Sequence, residues 1–100
     1  MSFKKQYLKS KPVCKVTFNY VPEETAEKGY LVGDFNNWNT SATPMKRFKN
    51  GKFTVALDLD LGKEYQFRYF LDGKRWENDP NADKYIPVPD LNAENSVVVV

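Results

Sequence analysis

The stretch KNGKFTVALDLDLGKEYQFRYFLDG, residues 49–73, alternates apolar and polar side chains with a period of two, twice over. Phe53, Val55, Leu57 and Leu59 share one face, with Thr54, Ala56, Asp58 and Asp60 on the other. Beyond Leu61-Gly62-Lys63, Tyr65, Phe67, Tyr69 and Leu71 repeat the pattern against Gln66, Arg68, Phe70 and Asp72. Successive side chains of an extended chain point to opposite faces, so the spacing predicts two half-buried strands and argues against helix. Asn50-Gly51 before the first run and Asp72-Gly73 after the second tolerate the positive φ of hairpin turns, which implies antiparallel pairing.

Working outward, Cys14, Val16, Phe18 and Tyr20 oppose Val13, Lys15, Thr17 and Asn19 in a third strand, and Tyr30 to Phe35 and Ser96 to Val100 supply shorter ones. PEETAEK, residues 22–28, hints at a helical turn. KYIPVPD, residues 84–90, is expected to run as an extended loop, since proline cannot donate to a central ladder. Short strands separated by turn signals, with no long amphipathic helix, predict an all-β sandwich or barrel. A chain of 100 residues is near the usual size of one domain. We read residues 13–100 as that domain and residues 1–12 as a basic arm or edge strand.

Composition narrows the function. With 41% hydrophobic and 28% charged residues the chain belongs with soluble globular proteins rather than disordered ones. Histidine is absent, which excludes triads that use it as a general base and its usual metal sites. The one cysteine, Cys14, excludes an internal disulfide, and its apolar neighbours along the strand make it a buried filler. No basic-then-apolar leader opens the sequence, so a cytoplasmic location is expected, and no apolar run approaches the roughly 20 residues of a membrane helix. Asp72, Glu77 and Asp79 are the nearest approach to the paired carboxylates of glycoside hydrolysis. A sandwich this small offers shallow surfaces rather than a deep, water-excluding cleft, so no enzyme activity is expected. Asp58-Leu59-Asp60-Leu61-Gly62 lacks the spacing of a calcium loop, and no metal or cofactor is expected.

Net charge is +2, but residues 1–22 hold five lysines and no acid, leaving the remainder at −3. A basic arm can contact phosphates, and lysines also protect an edge strand from aggregation. Aromatics interleaved with Lys and Arg raise single-stranded nucleic acid as a ligand, yet the modest net charge argues against it.

Two phrases place a tryptophan among polar turn residues: GDFNNW, residues 33–38, and LDGKRWENDP, residues 71–80. Either indole can serve as a core anchor. Either can instead be a platform whose π-face meets the slightly positive C–H face of a sugar ring, with neighbouring Asn and Asp serving its hydroxyls. Gln66, Arg68 and Phe70 point away from the core face of their strand. If both segments close over that surface, Trp38, Trp76 and Arg68 form one stacking and hydrogen-bonding site.

LVGDFNNW, the 49–73 stretch, W-x-x-D-P and Asn95 before a final apolar strand together resemble the glycogen-binding early-set domains, carbohydrate-binding module family 48. Such domains occur in the AMP-activated protein kinase beta subunit and ahead of the catalytic barrel in branching enzymes and isoamylases. The resemblance covers about residues 13–100 and implies an immunoglobulin-like antiparallel β-sandwich of the early-set type. It further implies non-catalytic binding of α-1,4-linked glucan, meaning glycogen, starch or a maltooligosaccharide. Trp38 and Trp76 would be the stacking pair, Arg68 and Asn95 would bind hydroxyls, and Leu91 would make an apolar contact.

Three departures stand out. Two residues, Lys74 and Arg75, separate Asp72-Gly73 from the tryptophan where such domains usually have one, and an extra residue reverses the facing side unless a bulge absorbs it. Ala93 replaces a hydroxyl residue, and no catalytic barrel follows in this sequence. The expected partners are therefore an α-glucan and a separate glycan-active enzyme, without nucleic acid or membrane. The alternative is a protein-interaction or scaffold module that docks such an enzyme without holding glycan itself.

Overall fold

A computed structural model describes residues 3–89 and 93–100. In chain order they form β1 (Phe3–Tyr7), β2 (Val13–Tyr20), β3 (Gly29–Gly33), a 3-10 turn (Asp34–Asn36), β4 (Lys46–Arg47), β5 (Phe53–Asp60), β6 (Glu64–Leu71), β7 (Arg75–Glu77), β8 (Lys84–Val88) and β9 (Ala93–Val99). All strand pairs are antiparallel. One sheet has the order β1-β2-β5-β4, and the second β3-β6-β9-β8 with β7 also on β6. The two pack as an all-β sandwich of the immunoglobulin-like, early-set type.

Alternation dictates the core. Cys14, Val16, Phe18, Phe53 and Leu59 of the first sheet meet Leu31, Phe67, Tyr69, Leu71 and Val98 of the second, all buried. Phe18 and Phe67 cross edge to face with centroids 5.2 Å apart, and Phe3 of β1 packs on both at 5.6 and 5.9 Å. Fully burying each such side chain contributes roughly 1.5–3 kcal/mol. Tyr20 and Tyr69 stack face to face at 4.3 Å.

The β5–β6 connection is tight, yet the strands it joins belong to different sheets. Gly62 turns the chain at φ +77°. The Leu61 N–H donates to Pro12 O at 3.1 Å, and the Gly62 N–H donates to Val100 O at 2.9 Å. Since Pro12 leads into β2 and Val100 follows β9, the two bonds tie the corner to both layers.

Three sequence expectations need correction. The strand anticipated over Tyr30 to Phe35 ends at Gly33, and Phe35 lies in the 3-10 turn. There the Asn36 side chain accepts the Gly33 N–H at 3.1 Å and donates to Leu31 O at 2.9 Å, which folds the chain out of the ladder. At Gly33 the backbone also approaches β6 so closely that a Cβ would sit 2.4 Å from Gln66 O. Residues 22–28 form bends rather than a helical turn. The Asp72 carboxylate captures the N–H groups of Glu27 and Lys28 at 2.9 and 3.0 Å, and buried Ala26 anchors the segment. Finally, Lys84–Val88 is a strand and not a loop. It pairs with β9 at the sheet edge, where Pro87 is tolerated.

β6 positions the functional surface. One of its edges pairs with β3 over Phe67–Leu71. The other is shared, with β9 alongside Glu64–Phe67 and β7 alongside Tyr69–Leu71, so Arg68 stands at the fork. A polar bolt closes the fork from below. Asn78 Oδ1 accepts the Ser96 N–H at 3.0 Å, Asn78 Nδ2 donates to Glu94 O at 2.8 Å, and the buried Ser96 hydroxyl accepts the Asp79 N–H at 3.0 Å.

Candidate functional site

Trp38 is set by strained backbone. Asn37 and Trp38 both lie at φ 56°, a left-handed conformation that costs a bulky residue on the order of 1–3 kcal/mol unless its surroundings hold it. Here they do. The Trp38 N–H donates to Gly33 O at 2.9 Å and the indole Nε1–H to Asp34 Oδ1 at 2.9 Å. Asp34 Oδ2 in turn accepts the Gln66 N–H at 2.7 Å, so one carboxylate bridges the indole to β6.

Trp76 is set by register. The connection Asp72-Gly73-Lys74, with φ 54° and 67° at its first two residues, takes up the extra residue before β7 resumes pairing at Leu71↔Arg75. Trp76 therefore sits opposite Phe70 and shares its outward face, with ring centroids 4.4 Å apart and planes tilted by 34°. The indole remains 43% exposed, so Phe70 supports one side while the other is open.

Between the indoles lies a hydrogen-bonded row. Arg68 Nε donates to Asn95 Oδ1 at 2.7 Å, Arg68 Nη2 donates to Glu94 O at 2.7 Å, and Asn95 Nδ2 donates to Gln66 Oε1 at 3.0 Å. These bonds fix the orientation of three polar side chains on the outer face of the second sheet. Val32 and Val97 face the same way by register, opposite Arg68 and Gln66, and both are fully buried beneath the surface.

The result is one open groove of ≈ 470 Å³ lined by Trp38, Arg68, Trp76, Val88 and Asn95. Four of the five residues singled out from sequence thus share a single surface. Leu91, the fifth, lies outside the described residues. Val88 was missed, because Pro87 and Pro89 hid the strand that carries it. The alternation of Ile86 and Val88 with Tyr85 and Pro87 was the available signal. Asp34, which orients Trp38, was equally unread. Two stacking faces flanked by fixed donors and acceptors suit a chain of rings that are apolar on their faces and hydroxylated at their rims.

The carboxylates considered for hydrolysis are engaged in structural bonds. Asp72 holds the 27–28 backbone, Glu77 accepts the Tyr20 hydroxyl, and fully buried Asp79 accepts the Tyr69 hydroxyl at 2.7 Å. Burial pushes the Tyr69 phenol well above its ordinary pKa, with Asp79 adding to the effect, and burial and the Glu77 carboxylate together raise Tyr20. Backbone N–H groups from Lys28 and Glu27 lower the Asp72 pKa. Among the described residues no group of three or more acidic or cysteine side chains is placed to hold a metal ion. No helix among them is long and apolar enough to cross a membrane.

Comparison with known proteins finds relatives that share part of the chain. Residues 14–86 match the family described as carbohydrate-binding module 48 (isoamylase N-terminal domain). The 5'-AMP-activated protein kinase subunit beta-2 of Homo sapiens is 36% identical over 58 residues, covering 58% of this chain and 20% of that subunit, and the Mus musculus subunit matches equally. Amylopullulanase of Thermoanaerobacterium thermosulfurigenes is 36% identical over 58 residues, 55% of this chain and 3% of that protein. The chain spans a fifth or less of the length of these relatives.

Proposed function

The chain belongs to the carbohydrate-binding module 48 family, and from that premise we propose that its groove binds α-1,4-linked glucan, as glycogen, starch or maltooligosaccharide, without acting on it chemically. The observation that carries this reading is the convergence of Trp38, Trp76, Arg68 and Asn95 on one open surface. The indoles stack on successive glucosyl units, while Arg68 and Asn95, already oriented by their mutual bond, serve the hydroxyls at the ring edges. Residues 13–100 act as the binding unit and residues 1–12 add its edge. The module works in the cytoplasm and brings a separate glycan-active enzyme to the polymer.

Affinity electrophoresis in gels containing glycogen tests this. The wild-type chain is retarded, and Trp38→Ala restores the mobility of the glycogen-free gel. Unretarded wild type would defeat the reading and leave the docking of an enzyme, without glycan, as the surviving role for the fold.

A further inference from the structure

The groove carries a cation. Among the described residues that line it only Arg68 is charged, and it forms no ion pair with a described residue. Lys84, on the same outer face by register, is neutralised by Glu64 at 2.6 Å. Asp34, which follows β3 on this face, commits one oxygen to the Trp38 indole and the other to the Gln66 N–H.

The geometry of the guanidinium sharpens this. Nε and Nη2 lie on one edge of the plane, and that edge is occupied by Asn95 Oδ1 and Glu94 O. The adjacent edge, formed by Nη1–H and the second Nη2–H, is bonded to no described residue. Two parallel N–H groups of this kind match two oxygens of one phosphate. A neutral hydroxyl laid on that edge accepts a bond from the cation but brings no opposite charge to offset its desolvation. A phosphate monoester returns two charge-assisted bonds and cancels the charge.

We propose that the groove selects α-glucan bearing a phosphate monoester on a glucosyl unit, with the ester oxygens on the Nη1–Nη2 edge of Arg68 and neighbouring units on Trp38 and Trp76. This rests on the reading of the groove as a glucan site and specifies which glucan it prefers.

Calorimetric titration of the intact chain with maltoheptaose, with maltoheptaose phosphorylated on one primary hydroxyl, and with inorganic phosphate alone tests it. The phosphorylated oligosaccharide binds about tenfold tighter than the neutral one at low salt, an advantage that shrinks as salt screens the pair. Inorganic phosphate, lacking rings to stack, does not displace maltoheptaose. In Arg68→Gln the two oligosaccharides bind alike, while Arg68→Lys, which keeps the charge but not the fork, retains part of the preference. Equal binding by wild type, a preference that survives Arg68→Gln, or competition by inorganic phosphate alone overturns the selectivity and leaves the glucan reading standing. Binding of neither oligosaccharide overturns both.

Discussion

The indole N–H of Trp38 donates to Asp34 Oδ1 at 2.9 Å, and this bond decides where one wall of the groove stands. Because Asp34 also accepts the Gln66 N–H, the indole is referenced to the central strand of its sheet rather than to its own loop. Asp34→Ala frees the ring to rotate and leaves the strained 37–38 backbone with one tie fewer. We expect glucan affinity to fall about three- to tenfold with the fold intact, as measured by calorimetry beside a thermal melt. Unchanged affinity would mean that Trp38 is held by packing alone.

Lys74 gives a test of register. It lies in the turn, outside the Leu71↔Arg75 and Phe70↔Trp76 pairs, so its removal leaves a two-residue Asp72-Gly73 hairpin with Trp76 still opposite Phe70. Deleting Lys74 should change glucan affinity by less than about twofold, whereas inserting a residue between Arg75 and Trp76 should turn the indole to the other face and abolish its contribution. A deletion as damaging as Trp76→Ala would contradict the pairing described.

The stacked tyrosines predict loss of stability in alkali. Tyr69 is fully buried and donates to Asp79, and its pKa and that of Tyr20 are both raised in the folded chain, mainly by burial. An acid with a raised folded pKa ionises first in the unfolded state, near its ordinary value of about 10. Above that pH the folded state holds more protons than the unfolded one, so stability is complete below about pH 10 and declines as pH rises further. The melting temperature should fall above this point, and Tyr20→Phe should flatten the decline. A melting temperature that stays level above about pH 10 would contradict it.

The long strands were legible because each buries one face only, and residues 53–60 and 64–71 therefore advertise their alternation in plain form. The same property exposed Arg68, since a cation on a strand whose odd-numbered residues make core must face outward. Asn95 became readable only through the resemblance, and Trp38, a platform candidate from its polar surroundings, lies in no alternating run that assigns it a side. Trp76 depended on whether the turn absorbed Lys74, a matter of φ at Asp72 and Gly73 that no count of residues decides. What stayed hidden has a common cause in tertiary bonds overriding local preference. The Asp72 carboxylate captures the 27–28 backbone where residues 22–28 suggest a helical turn, and β9 draws a proline-bearing segment into the sheet because an edge tolerates a missing N–H.

The claim that both indoles hold one glucan chain is tested most directly by titrating isotope-labelled protein with maltoheptaose and following the two indole N–H resonances. We predict that the Trp38 and Trp76 signals shift together along a single saturation curve, and that replacing either tryptophan by alanine weakens binding by about tenfold or more. Resonances that stay still to millimolar ligand, or a response from one indole alone, would contradict it.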